Sequence, residues 1–209
     1  MTIKSYDELS SLELDTLKEI GSIGTGNAAT SLSALIGKPV RIQQPEVRIM
    51  EYNEAIDWIG GPEPITAGVL VGMSGQLSGI MLSVQQLDFV NLVLESMMEK
   101  SIEEYLNLGE MERSALTEVG NIMISTFINA LSSLAGLDIE LTVPAFTVDM
   151  QGAIMAVPMA EYGGQSNYIM TIGGNFICNG KEIPCRLLLS PDIRSLNFLL
   201  RKLGVNSGD

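Results

Sequence analysis

The chain has no histidine and only two cysteines, Cys178 and Cys185. Without histidine, Ser-His-Asp and Cys-His nucleophile systems and HExxH zinc sites are excluded. Two thiols cannot build a four-thiolate zinc site and do not make a disulfide scaffold. They read as small buried hydrophobes. Any chemistry here rests on carboxylates, amides, hydroxyls or backbone groups. Positive charge is also scarce: 12 Lys and Arg stand against 25 Asp and Glu, a net charge of −13. That weighs against nucleic acid, which demands basic surface, and against an anionic membrane surface. No apolar run approaches the roughly 20 residues of a membrane span. The N-terminal MTIKSYDELSS has no apolar signal-peptide core. A cytoplasmic location is therefore expected.

What is present is a core-forming composition, 46% apolar, and one pattern that occurs twice. Ser114, Glu118, Asn121 and Pro144 recur as Asp15, Glu19, Ser22 and Pro45, 99 positions earlier (118−19, 121−22 and 144−45). Identities at that offset include Glu13/Glu112, Leu17/Leu116, Gly21/Gly120, Ile23/Ile122, Leu32/Leu131, Ser33/Ser132, Leu35/Leu134 and Gly37/Gly136. A period this long describes a duplicated half-domain rather than a solenoid. The halves span about 8–98 and 107–203 of a single domain covering 1–209. The linker at 99–109 carries no Pro- or Gly-rich spacer, so one continuous structure is expected.

Each copy opens with a long helix. Ser10 and Glu13 form a capping box, and Gly37 and Gly136 stand where a helix terminus calls for a left-handed residue. Strands are expected at 40–50, 66–73, 77–84, 138–148, 153–158, 167–175 and 184–190, with helices at 85–98 and 192–203. Pro45 and Pro144 imply an edge or bulge position. GIMLSV and CRLLLS look equivalent if Ser83 matches Ser190, an offset of 107 (190−83). About eight extra residues are then expected around 160–182.

On a helix, Ser114, Glu118 and Asn121 share one face, and Ser125 continues it. Leu116, Val119, Ile122, Met123, Phe127 and Ala130 populate the core side. Two readings stand for the polar stripe. It is the solvated side of an amphipathic helix, or it is a docking edge whose carboxylate meets a cation while its amide orients a water. Gly21, Gly24 and Gly26 match neither phosphate-loop spacing, and no strand precedes them; they suit close approach of another element.

The doubled pattern, Asp or Ser, three residues, Glu, two residues, Asn, 22 residues, Pro, resembles that of the CheC/CheX/FliY family of chemotaxis phosphatases. The second copy matches fully, the first in all but the Asn. Two copies suit the CheC and FliY branches, and EIGSIGTGNAAT together with the lack of a further C-terminal domain is nearest to CheC. The resemblance implies an α/β (α+β) fold of CheC-like pseudo-twofold half-domains, with two long motif helices side by side on a central β-sheet. It implies hydrolysis of the aspartyl phosphate of a CheY-type response regulator. Asn121 is then the residue that positions the attacking water, and Glu118 pairs with the regulator's lysine; Asp15, Ser114, Pro45 and Pro144 support the motif. Mg²⁺ is expected in the partner regulator and no cofactor or metal in this chain. The receptor deamidase CheD is a further expected partner, with Asp149 as a contact or, more simply, a strand-end carboxylate. Glu19 and Ser22 form a degenerate second site, because serine is shorter than asparagine. Asn27 cannot stand in, lying about 140° around the helix from Glu19.

Overall fold

A computed structural model describes residues 3–162 and 167–205. Six α-helices and seven strands follow in the order α1 (Ser11–Ile36), β1 (Val40–Glu51), α2 (Tyr52–Ile59), β2 (Ile65–Gly75), β3 (Gly79–Gln85), α3 (Leu87–Met98), α4 (Glu110–Ala135), β4 (Ile139–Leu141), β5 (Ala145–Met150), α5 (Gln151–Tyr162), β6 (Tyr168–Cys178), β7 (Lys181–Pro191) and α6 (Ile193–Lys202). Both expected helix signals are in place. The Ser10 hydroxyl accepts from the Glu13 amide while the Glu13 carboxylate accepts from the Ser10 amide. Gly37 and Gly136 close α1 and α4 at φ of +65° and +61°, a conformation that disfavours any Cβ.

The strands form one antiparallel sheet in the order β1-β6-β7-β3-β2, completed at the far edge by β4 and β5, which both pair with β2. This order is unchanged when the two halves are exchanged. β3 and β7 meet at the centre, and each half lends its proline-bearing strand to the hairpin of the other: β1 lies on β6, and β4 and β5 lie on β2. The prolines act as their residue type dictates. Pro45 sits where the β1–β6 register shifts between Gln43 and Glu46, and Pro144 separates β4 from β5. Each removes a ladder donor at an edge strand.

The pairing also places the extra residues of the second half. Val40 pairs with Cys178, and Ile139, its mate at +99, pairs with Gly75, so β2 and β6 are related by 103 (178−75). Four residues therefore enter somewhere between 151 and 168, a span in which positions 163–166 lie outside the described residues. The N-caps Gln86 and Asp192 are related by 106 (192−86), which puts three more between β6 and α6.

Two expectations about the fold are corrected, and one element was not foreseen. Residues 153–158 are not a strand but the interior of α5, which holds Pro158 within it. A short apolar run does not reveal its period. The helix is set by tertiary anchors, the Gln151 and Gly152 amides donating to the Pro64 and Pro62 carbonyls. Residues 52–59 form α2, an eight-residue helix beyond the strand expected to end at 50. Ser83 and Ser190 are not equivalent. Met81 and Leu189 belong to the core under α1 and α4, whereas Leu82, Val84 and Leu188 belong to the core under α2 and α5. Alternation along the strands then directs Ser83 to the first side and Ser190 to the second, where it meets the Tyr52 hydroxyl at 3.3 Å.

The sheet is thus a middle layer. The α2 and α5 side carries a small core around Tyr52, Ile59, Ile154 and Met155. The other side carries the main core, with α1, α3, α4 and α6. There α1 packs against α4, and Gly24 makes the close approach possible: a Cβ at Gly24 would collide with the Phe127 ring. Phe127 is wholly buried.

Two glycines in one helix give opposite expectations. Gly24→Ala is expected to lower stability by about 1–3 kcal/mol through overpacking against Phe127. Gly26→Ala, with nothing within 4 Å of its Cβ, is expected to raise stability by up to about 1 kcal/mol through helix propensity. Urea unfolding monitored by circular dichroism reads both.

Candidate functional site

The core decides how α4 is rotated. Leu116, Val119, Met123, Ile124 and Phe127 are all buried against the sheet and neighbouring helices. Gly120 brings the axis down onto β2, since a Cβ there would stand 2.6 Å from Val69 Cγ2. With that face committed, Ser114 and Glu118 are exposed and Asn121 is half-buried, one turn further along the same edge. Among the described residues, no ion pair reaches the Glu118 carboxylate and no hydrogen bond reaches the Asn121 amide. Both are therefore available to a partner.

Ser125 does not extend the stripe. Its hydroxyl donates to the Asn121 carbonyl at 2.6 Å and to the Ile122 carbonyl at 3.3 Å, so it is turned onto its own helix. Ile122, expected in the core, is half-exposed beside Asn121. Glu112 belongs to a different face. It is nearly covered, and the Lys100 ammonium at 2.6 Å holds its carboxyl below the usual carboxylate range. That ion pair ties the linker between the halves to the start of α4. The Arg113 guanidinium lies over the Phe146 ring of β5, 5.9 Å from its centroid, on the side of the sheet edge that Pro144 interrupts.

The first copy is built alike but furnished differently. Asp15 is exposed and paired with Lys18 at 3.0 Å. Glu19 is exposed, and Ser22 is half-buried. Gly21 approaches β1, where a Cβ would collide with Val47. The Thr25 hydroxyl donates to the Gly21 and Ser22 carbonyls at 2.7 and 3.1 Å. α1 and α4 each fold back on the strand that follows, and β1 and β5 run in opposite directions across the antiparallel sheet, so α1 and α4 run antiparallel, with Gly24 against Phe127 and Ser31 meeting Thr126 at 3.1 Å. The two motif copies consequently lie towards opposite ends of the helix pair. Between them is a shallow groove of about 390 Å³ lined by Ile23, Asn27, Thr126, Asn129, Ser133 and Leu134, among others.

Asp149 is not part of either stripe. It is exposed near the end of β5, paired in register with Thr66, and its Oδ1 accepts from the Met150 amide at 2.7 Å. Its carboxylate is thus exposed at a strand end, a position that both readings of it share. Both cysteines are free and buried, and burial pushes the Cys185 thiol up to about 12. Among the described residues no group of three metal-ligating side chains gathers, and no helix is long and apolar enough to cross a membrane. One polar residue beneath the site escapes a reading by motif. Gln85, at the end of the apolar strand GIMLSVQ, is fully buried under α4. Its only sequence signal is an amide where the strand pattern calls for an apolar side chain.

The fold and its exposed edges define a class: a duplicated α/β domain that offers a carboxylate and an amide from the rim of a rigid helix. Both helix-plus-strand units match the model of the CheC-like family, over residues 12–49 and 111–148. Each half of the chain is thus CheC-like in its motif helix and the strand that follows it. It is 25% identical to the CheY-P phosphatase CheC of Bacillus subtilis over 198 residues, covering 93% of this chain and 95% of the relative. It is 30% identical over 145 residues to the flagellar motor switch phosphatase FliY of the same organism, covering 68% of this chain but 37% of that longer relative. In fold it resembles the crystal structure of Thermotoga maritima FliY, with a TM-score of 0.70 at 21% identity over 94% of this chain and 98% of that one. It also resembles the CheX–CheY–BeF3–Mg²⁺ complex from Borrelia burgdorferi, with a TM-score of 0.52 at 17% identity over 83% of this chain and 96% of that one.

Because the Glu118 and Asn121 side chains make no ion pair or hydrogen bond among the described residues, their removal tests function apart from folding. Glu118→Ala and Asn121→Ala are each expected to change unfolding free energy by no more than about 0.5 kcal/mol, the range of surface substitutions. Phe127→Ala, two turns along the same helix, should cost about 3–5 kcal/mol. Chemical denaturation of the three variants is the check.

Proposed function

We propose that this chain is a CheY-phosphate phosphatase of bacterial chemotaxis. The observation that carries this reading is the pair formed by exposed Glu118 and half-buried Asn121 on one edge of a rigid helix, neither with a side-chain partner among the described residues. The kinship with phosphatases named for CheY-P supports the substrate class.

In the proposed reaction, the regulator's aspartyl phosphate is the electrophile, and the regulator supplies the Mg²⁺ that offsets charge on the transferring phosphoryl group. The Asn121 amide enters beside the phosphoryl group. Its carbonyl accepts a hydrogen bond from the attacking water, its NH₂ group donates to a neighbouring oxygen, and the water is held in line with the scissile bond. Glu118, one turn away, pairs with the regulator's active-site lysine and so fixes the depth at which Asn121 arrives. Neither residue accepts the proton: as the water oxygen bonds to phosphorus, the bond from phosphorus to the aspartate oxygen breaks, the aspartate leaves as a carboxylate, and the water's proton passes to the released phosphate. Positioning and electrostatics supply most of the acceleration in phosphoryl transfer. A helix held by a buried core suits this task, because the two side chains keep a constant separation.

The first copy is proposed to be weak or silent. Ser22 lacks the length to hold a water where an asparagine holds it, although exposed Glu19 can still touch a regulator. That asymmetry also favours a second reading, a non-catalytic regulator or adaptor that binds a response regulator or the receptor deamidase CheD. Exposed Asp149 belongs to that reading.

Release of phosphate from a phosphorylated CheY-type regulator with Mg²⁺ separates the two. Wild type is expected to accelerate release. Asn121→Ala should lose on the order of 100-fold of that acceleration while still binding, the cost of a misplaced water. Glu118→Ala should weaken binding as well, and Ser22→Ala should change little. Activity that survives Asn121→Ala and disappears in Ser22→Ala would reverse the assignment. No acceleration by wild type would leave the adaptor.

A further inference from the structure

The Asn-bearing helix stands on a buried amide, and the Ser-bearing helix does not. Gln85 is fully covered at the end of β3. Its Nε2 donates to the Leu116 carbonyl of α4 at 3.0 Å. In a helix the carbonyl of residue 116 also receives the amide of residue 120, so Gln85 adds a second donor to that acceptor. The orientation of the amide follows from chemistry. Turned over, its oxygen would face the Leu116 oxygen, and two acceptors cannot bond. Gly120 stands directly above: a Cβ there would lie 2.8 Å from Gln85 Nε2. The contacts, at Leu116 and Gly120, therefore bracket Glu118 in the chain and lie on the side of the helix away from it.

Gln85 is itself held. Its backbone carbonyl accepts from the Tyr105 hydroxyl at 2.9 Å and from the Thr66 hydroxyl at 3.1 Å. Its Oε1, buried, has no hydrogen-bond partner among the described residues. An apolar side chain of similar size would fill the same space without leaving a polar atom unsatisfied, so packing alone does not account for an amide here. In the first half Leu17 and Gly21 occupy the places of Leu116 and Gly120. Among the described residues no side-chain donor reaches the Leu17 carbonyl, and Gly21 rests on the aliphatic Val47. The strut is present only beneath the helix that carries the complete motif.

We infer that Gln85 is a positioning residue, a strut that sets the height and rotation of the 116–121 turn and so the depth to which Asn121 reaches into a bound response regulator. It touches neither substrate nor water. This inference rests on the phosphatase reading for its effect on turnover, and on the geometry alone for its effect on the helix. Gln85→Met keeps the volume and removes the donor. It is expected to lower kcat for regulator dephosphorylation about tenfold, short of the larger loss from a fully misplaced group. KM for the regulator should stay within about twofold and Tm should not fall, because docking through Glu118 and the surrounding packing are retained. Amide hydrogen exchange should accelerate at Glu118–Asn121 while Glu19–Ser22 in α1 keeps its protection.

Unchanged kcat, or a kcat loss that merely tracks a fall in Tm, would overturn the positioning role. Unchanged exchange at Glu118–Asn121 would overturn the strut itself. If wild type proves inactive, the phosphatase reading fails separately and exchange decides alone: faster exchange confined to 116–121 upholds the strut, and unaltered exchange removes it.

Discussion

Everything at the surface of this protein follows from how closely α1 and α4 approach each other over the sheet. The contact is made where Gly24 leaves room for the Phe127 ring. Each helix is 26 residues long, and each turns its apolar face toward the sheet and its neighbour. Once those faces are used, a carboxylate such as Glu118 has no buried place where its charge could be balanced. It must stand on the rim. The same holds for Glu19. The exposed edges are the geometric remainder of core packing, and their rigidity is the rigidity of the core. A side chain that is to hold a water in another protein's active site needs that rigidity, because it cannot be adjusted by its own neighbours.

The architecture is symmetric and the chemistry is not. Exchanging the halves leaves the strand order unchanged, and each half supplies the outer strand for the other's hairpin. Symmetry is broken at single positions: Ser22 against Asn121, Gly24 against Met123, Ala28 against Phe127. One helix supplies the small residue and the other the ring that fills it. A duplicated fold can specialise in this way because the strand exchange holds both helices in place whatever their outer faces carry. One copy can therefore serve mainly as scaffold while the other keeps the full polar set, including the buried amide of Gln85 beneath it.

Much of this was legible in the chain itself. The spacing of Glu118 and Asn121 implies a shared helix face, and the structure has them on one edge. The capping box at Ser10 and Glu13, the left-handed glycines at 37 and 136, and the broken edges at Pro45 and Pro144 stand where their residue types place them. The features that escaped share a cause. GAIMAVP is apolar enough for a strand or a helix, and only the anchoring of its first amides to the Pro62 and Pro64 carbonyls makes it α5. Ser83 and Ser190 look alike in the chain, but an odd offset on a strand inverts the face. Ser125 has the spacing of the stripe, yet a hydroxyl on a helix can bond its own backbone instead, and here it does.

The sequence by itself determined the duplication, the helix termini, the class of chemistry open to a chain without histidine, and the line on which Glu118 and Asn121 stand. These are local properties, set by side-chain type, backbone preference and helical period. Only the tertiary structure decided which side of that line faces outward, how far apart the two motif copies lie, and that a glutamine 31 positions before Leu116 supports one helix and not the other. Those are questions of depth and rotation. They are answered by which strand meets which helix across the sheet, and a linear pattern carries no measure of that.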